Sequence, residues 1–312
     1  SETYIAKETN VSVHTVRRII DDTARLLTIK PLHDFPEHLC FNEFKSVKAS
    51  DSNMSFIICD STTHKLVDVV RDRKSYSLKQ YFHRFETKTR LKVKTISIDM
   101  YLPYIQLIKE MFPNAKIIID PFHIVQALNR ELNRTRVRVM NKHRYKDSKL
   151  YRKLKHYWKL ILKNPNELQN YKYNRYKLFE SFITSKGIVD YILEKNPSLK
   201  NDYEVVHSLR ECIQDRDYIE FKETIEAATQ LDLSPGLKRV LKTLMTYLPY
   251  IQNTCEYPTR TNGPIEGINN KIKVLKRNAY GFRNYYHFRN RIILITKMFG
   301  PKQKGIKQQL VA

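Results

Sequence analysis

The run Lys116-Ile117-Ile118-Ile119-Asp120, closed by Pro121, constrains the fold more than any other segment. An uninterrupted β-branched run of this length suits a strand buried on both faces, and so a sheet with helices packed on either side. Four more strand-like runs precede it. Leu39–Lys45 is the first, Met54–Asp60 and Lys65–Val70 flank a polar turn at 61–64 as a hairpin, and Val93–Asp99 is the fourth. Helical patterns fall at 77–86 and 101–112. Three strands, helix, strand, helix, strand is an α/β order with a mixed five-stranded sheet.

Residues 1–28 read as a helix-turn-helix. Tyr4–Thr9 makes a short first helix, Asn10 takes the left-handed turn position, and Ser12 caps a second helix from Val13 to Ile20. Val16 and Ile20 point inward, leaving His14, Thr15, Arg17 and Arg18 for DNA. The alternative is an ordinary helical hairpin. After Pro121 a long helix puts Val125, Leu128, Leu132, Thr135 and Val139 on one face and His123, Arg130 and Arg134 on another. Together, 33–142 form the first part of a core. Residues 143–258 follow as an all-α, basic insertion, with prolines 165, 197, 235 and 249 at its helix joints. Residues 259–300 return to the core as its final helices, and 301–312 are a polar tail.

The 312 residues carry 56 Lys and Arg against 32 acidic residues, a net charge of +24. Such an excess calls for a polyanionic partner, most simply nucleic acid, although lipid phosphates would serve the same charge. No apolar run approaches the ~18–20 residues of a membrane span. Cys40, Cys59, Cys212 and Cys255 lie far apart without a Cys-x-x-Cys pair, which argues against a zinc site or disulfide scaffold and fits a reducing cytoplasm. The chain begins at Ser1 and enters a helix pattern at once, which reads as a fragment of a longer protein.

Three positions carry candidate chemistry. Asp99 closes a strand at its carboxyl end, where α/β sheets present ligand sites. Glu266 lies in the first turn of a helix for which Asn262 is a candidate cap; Ile265, Ile268, Ile272 and Leu275 form the buried stripe, and Glu266, Asn270, Lys273 and Arg277 the opposite one. By itself Glu266 reads first as a residue that merely complements the helix dipole; Lys271, Lys273, Lys276 and Arg277, placed to grip phosphates, favour the functional reading. Asn42, within Leu39–Lys45, stands where a third acid would complete a cage for two divalent metals. Asp60, also at a strand end, is the rival for that place, though it reads first as a turn residue.

Phe41-Asn42-Glu43-Phe44-Lys45, Ser97-Ile98-Asp99-Met100-Tyr101, Asp120-Pro121-Phe122-His123, the block Asn262–Lys273 and Ala279-Tyr280-Gly281-Phe282-Arg283-Asn284 together resemble bacterial insertion-sequence transposases of the ISL-three family. The resemblance covers essentially the whole chain. It implies an RNase H-like catalytic core of DDE type interrupted by a helical insertion and preceded by DNA-binding modules. It makes Asp99 the second acid and Glu266 the third, and places the first on Asn42. An amide there preserves the shape of an aspartate and removes one anionic ligand, which implies a catalytically dead form of the enzyme. Asp120 and His123 resemble a supporting Asp/Cys-x-x-His signature shared with hAT and Mutator-like transposases; a plain helix-start bond between the two is the other reading.

The implied function is binding of terminal inverted repeats, metal-dependent strand cleavage and 3′-OH strand transfer. Two Mg2+ ions are expected, with Mn2+ as a substitute, held by Asp99, Glu266 and an aspartate at position 42. Arg130, Arg134, Lys271, Lys273, Lys276, Arg277 and Arg283 are the candidate phosphate contacts beside those of the second helix. A homodimer on double-stranded DNA in the bacterial cytoplasm, associated with the nucleoid, is expected from the same likeness. The competing readings are a non-catalytic DNA-binding regulator in which Asn42 is native, and a nuclease acting on RNA hybrids.

Overall fold

A computed structural model describes residues 2–47, 53–279 and 281–298, so the 301–312 tail and Tyr280 lie outside the described residues. The order is α1 (Glu2–Glu8), α2 (Val13–Leu27), β1 (His38–Lys45), β2 (Met54–Asp60), β3 (Leu66–Val70), α3 (Ser75–His83), α4 (Thr87–Leu91), β4 (Thr95–Ile98), α5 (Leu102–Met111) and β5 (Lys116–Ile119). There follow α6 (Pro121–Lys142), α7 (Ser148–His156), α8 (Trp158–Leu162), β6 (Asn174–Arg175), β7 (Phe182–Ile183), α9 (Ser185–Glu194), α10 (Pro197–Asp215), α11 (Tyr218–Ala228) and α12 (Pro235–Glu256). The last described helices are α13 (Gly263–Asn278) and α14 (Tyr285–Lys297). The chain divides into two compact units, Ser1–Ile118 with Arg260–Ala312, and Ile119–Thr259.

The first unit is built on a mixed five-stranded sheet of order β3-β2-β1-β4-β5, with β1 antiparallel to β2 and parallel to β4. The period-two alternation of β1 sends successive side chains to opposite faces. Phe41 joins Phe35, Phe56, Phe82, Phe85 and Phe112 under α3 and α5, its ring 5.0 Å from Phe56 and 5.7 Å from Phe82. Cys40 and Phe44 face the other way, packing with Ile57 and Val69 against Ile265, Ile268, Ile272 and Leu275 of α13 and Phe288 and Ile292 of α14. The stripe expected from the sequence of α13 is therefore its buried face.

The N-terminal hairpin forms as its sequence indicates. Asn10 adopts φ 51°, Ser12 accepts from Thr15 N, and Ala6, Val16 and Ile20 are buried together. The second helix runs to Leu27, beyond the expected Ile20. The added turns have partners on the core. Ala24 joins the α13–α14 cluster, Asn290 Nδ2 donates to Asp21 at 2.8 Å, and Lys297 Nζ donates to Leu27 O at 2.7 Å.

In the second unit α6 buries Ile124, Leu128, Leu132, Thr135 and Val139, with Ile124 taking the place expected of Val125, which is only half-buried. Thr135, Asp202 and Ser234 form a buried polar node: Thr135 donates to Asp202 Oδ2 at 2.7 Å, and Ser234 N donates to Asp202 Oδ1 at 2.9 Å. Two expectations need correction. The segment is not wholly helical, because β6 and β7 form a short antiparallel ribbon. Pro249 is not a joint but lies inside α12. The carbonyl it leaves without a helical donor is that of Met245, an exposed position (43%) where water can serve it. Leu244, Tyr247 and Ile251 stay buried around it, so packing carries the helix through the proline.

Candidate active site

The site is assembled at one end of the first unit's sheet. The parallel ladder between β1 and β4 pairs His38 with Thr95, Leu39 with Ile96 and Cys40 with Ser97. Carried two residues further, the same register sets Asn42 beside Asp99. Both then share the face of Cys40 and Ser97, the face α13 covers. Asn42 is half-buried, and its Oδ1 accepts from Glu43 N at 2.6 Å. Glu43 points to the opposite face, where it pairs with Arg73 at 2.6 Å and accepts from Tyr104 Oη at 2.5 Å. Burial and that hydrogen bond to Glu43 push the Tyr104 phenol far above its usual range, so it remains a donor.

Asp99 follows β4 directly and is half-buried. One oxygen accepts from Asn262 Nδ2 at 2.9 Å, and the same nitrogen donates to Phe41 O at 3.2 Å. The side chain at the foot of α13 thus ties β1, one residue before Asn42, to the carboxylate that ends β4. This corrects the capping role expected of Asn262: its side chain makes no capping bond to α13, because both amide hydrogens are drawn to the strand ends. Glu266, one turn into α13, is exposed on the face opposite the buried stripe.

Asn42, Asp99 and the first turn of α13 thereby meet at one sheet end. Asp60 does not join them: it accepts from Thr62 N at 2.7 Å and Thr63 N at 3.2 Å, closing the β2–β3 turn. In the second unit Asp120 precedes α6 and is buried, with His123 Nε2 3.8 Å from its Oδ2. These two residues are neighbours, as their spacing indicates.

A groove of about 430 Å3 runs along α13, floored by Phe44, Met54 and Ile272 and edged by Lys45, Lys273, Lys276 and Arg277. Lys271, Lys273 and Arg277 are exposed. Lys276 is not like them. Its ammonium donates to Lys45 O at 3.0 Å and Ser46 O at 2.9 Å, and burial lowers its pKa, with the charge of Lys45 a lesser cause.

A family profile described as "Transposase", of the DDE type and the ISL3 group, matches residues 39–292. This chain belongs to the ISL3 transposase family. Two relatives are similar to it. The transposase for insertion sequence element IS1001 of Bordetella parapertussis is 26% identical over 289 residues, 91% of this chain and 67% of that protein. A Lactococcus lactis subsp. lactis protein named ATP-dependent protease is 36% identical over 130 residues, 42% of this chain and only 40% of that protein. No solved structure matches.

The remaining candidate DNA contacts singled out from sequence are distributed over the chain as follows. His14 and Arg18 are exposed on α2, Thr15 is half-buried with its hydroxyl 3.0 Å from Ser12 Oγ, and Arg17 is paired with Glu2 at 3.2 Å. Arg130 and Arg134 are exposed on α6; Arg130 donates to Gln126 and Arg134 to Glu131, each at 3.2 Å. Arg283 is exposed after α13. Sequence reasoning missed the strand-tying role of Asn262 and the carbonyl contacts of Lys276. Neither bond leaves a local sequence signal, since both partners are main-chain atoms or residues over a hundred positions away.

Proposed function

We propose that this chain is the DNA-processing part of an insertion-sequence transposase with an RNase H-like core. In this reading it binds terminal inverted repeats, and Asp99 and Glu266 are two of its three metal-binding positions. The observation that carries the reading is the bond of Asn262 to Phe41 O and Asp99, which gathers the strand of Asn42, the carboxylate of Asp99 and the helix of Glu266 at one place. The donor set fits a hard divalent cation: carboxylate and amide oxygens, with the buried Asn262 Oδ1 left without a partner beside them. Asp99 and Glu266 would hold the ion, with position 42 as third ligand when it is an aspartate.

When bound, Mg2+ or Mn2+ supplies activation of a water and charge stabilisation for in-line displacement at phosphorus. The chain's own residues bind and orient. Lys271, Lys273 and Arg277 hold phosphates along α13, while the helical hairpin α1–α2 presents His14 and Arg18 to duplex DNA as a helix-turn-helix. The attacking water forms the new P–O bond as the 3′ oxygen leaves and is protonated; in the second step that 3′-OH attacks a target phosphate, forming one P–O bond as the target strand's own 3′ oxygen is displaced and takes the proton. Residues 143–258 serve as the insertion domain, and two copies of the chain hold the two ends.

With an amide at position 42 the cage lacks one negative charge, so this form binds DNA without cutting it. The test is Asn42→Asp in the full chain, with duplexes carrying the element's own ends and Mg2+ or Mn2+. Nicks ending in 3′-OH are expected from Asn42→Asp, none from the parent, and none from Asn42→Asp/Glu266→Ala. An Asn42→Asp chain that binds the ends but never cuts them would replace this reading with that of a DNA-binding regulator.

A further inference from the structure

We propose that Asn262 is a positioning residue of this site, its side-chain amide fastening Asp99 and the end of β1 to the foot of α13. The proposal rests on the metal-site reading above and adds a residue that acts through Asp99 and the end of β1.

The orientation of the amide is fixed by its surroundings. Phe41 O and Asp99 Oδ1 are both acceptors, so the group pointing at them is the NH2, and each of its hydrogens has a partner at 3.2 and 2.9 Å. The turned-over orientation would set a carbonyl oxygen against two others. That assignment leaves Asn262 Oδ1 buried with no hydrogen-bond partner in a residue only 3% exposed. A native protein seldom leaves such an atom orphaned, and where it does the cost points to another use of the residue.

The position also forgoes the ordinary task of an asparagine at a helix start. Ser12, Asp147, Thr184, Asp217, Ser234 and Asn284 accept from the main chain of the helices they precede, whereas Asn262, like Asp120 and Asn196, accepts from none. It gives up a cap and accepts an orphaned oxygen in order to donate twice to the strand ends. The two bonds define the site's geometry. One holds the strand of Asn42, the other selects which way the Asp99 carboxylate faces, and both are anchored one turn before Glu266. At the far end of α13 Lys276 grips Lys45 O and Ser46 O, so the helix is fastened to the β1 segment at both ends.

The test uses the full chain carrying Asn42→Asp, with Mn2+ as the ligand read by titration calorimetry, and thermal melts without metal. Replacing Asn262 by Leu keeps the branching and heavy-atom count and removes both bonds. Asn262→Leu should weaken Mn2+ binding by at least tenfold, the range typical of residues that orient metal ligands. The melting-point loss in Asn262→Leu should shrink when Asp99 is already Leu, because only the bond to Phe41 O is then left to lose. Asn262→Ser, which retains one donor, should fall between parent and Leu, and it replaces Leu should that chain not fold. Mn2+ affinity within twofold of the parent overturns the proposal, as do melting losses that simply add. Should the Asn42→Asp chain bind no Mn2+ at all, the metal reading fails, and the melting cycle alone decides Asn262: non-additive losses support the fastening and additive ones refute it.

Discussion

Lys276→Met separates a lysine that fastens the fold from lysines that meet phosphate. The substitution keeps the aliphatic stem and removes an ammonium that donates to Lys45 O at 3.0 Å and Ser46 O at 2.9 Å, 5.8 Å from the centroid of the Phe288 ring. Charged hydrogen bonds contribute about 1.5–3 kcal/mol each when shielded, but this groove is half open to water, so about 1 kcal/mol each is the fitting weight. The cation–π contact adds about 0.5 kcal/mol. The expected loss is about 2–3 kcal/mol, or a melting point lower by about 5–10 °C for a unit of this size. Lys273→Met on the neighbouring exposed position should leave the melting point unchanged and reduce the slope of log binding constant against log salt by about 0.9. Differential scanning fluorimetry and fluorescence anisotropy on a duplex over a salt series measure both quantities. If Lys276→Met melts with the parent while flattening the salt slope, its ammonium serves DNA and does not fasten α13 to β1.

Three further outcomes follow from the second unit and the back of the first. Burial, foremost, and the charge of Arg210 lower the His207 pKa to about 4 against an ordinary 6.5, although its bond to Ile161 O at 3.0 Å opposes the shift. The folded state therefore refuses a proton that the unfolded chain accepts; up to about 3 kcal/mol should be lost as pH falls from 6.5 to 4, levelling below that, and His207→Gln should flatten this part of a urea-unfolding pH profile. Gly236→Ala would put a Cβ 1.6 Å from Glu131 Oε1, in a carboxylate paired with Arg134 at 3.2 Å. It should cost about 2–4 kcal/mol in denaturant unfolding, and Glu131→Ala should absorb most of that cost; equal stability to the parent would contradict the packing. Arg289→Met leaves Asp68, 1% exposed, with Tyr81 Oη, its own neighbour's N–H and only the more distant charge of Lys297, and should cost about 3 kcal/mol by the same measurement, a loss below 1 kcal/mol counting against the pair.

The sheet was legible because its strands follow simple periodicity and its turns have clear chemistry. Met54–Asp60 and Leu66–Val70 pair around a turn in which His64 takes φ 59°, and the ladder follows from the alternation of Phe41 and Cys40. The stripe of α13 was legible for the same reason. Where local pattern and tertiary packing disagree, the sequence misleads. Pro249 reads as a breaker, but Leu244, Tyr247 and Ile251 hold the helix together across it. Glu131, a charged side chain for which the pattern of its helix gives no partner, is 3% exposed because Gly236 supplies no side chain to fill its place. Position 262 reads as a cap because asparagine commonly is one, and only the arrival of two strand ends beside it turns the amide another way.

That last case shows why the acidic positions can be named from sequence while the device that holds them cannot. A carboxylate at a strand end or in a first helical turn has a local address, set by period and by turn chemistry. The tie that makes them one site joins residue 262 to 41 and to 99, and its acceptors are a main-chain oxygen and a side chain from another strand. Its consequence concerns Asn42 itself. A neutral amide there can accept from Glu43 N without facing the carboxylate of Asp99 as a like charge. An aspartate in the same place would set two carboxylates side by side on neighbouring parallel strands. Only a cation, or a protonated carboxyl, would relieve that repulsion. The amide form therefore keeps the arrangement of the site without needing a cation to hold it together, and the aspartate form makes that arrangement depend on one.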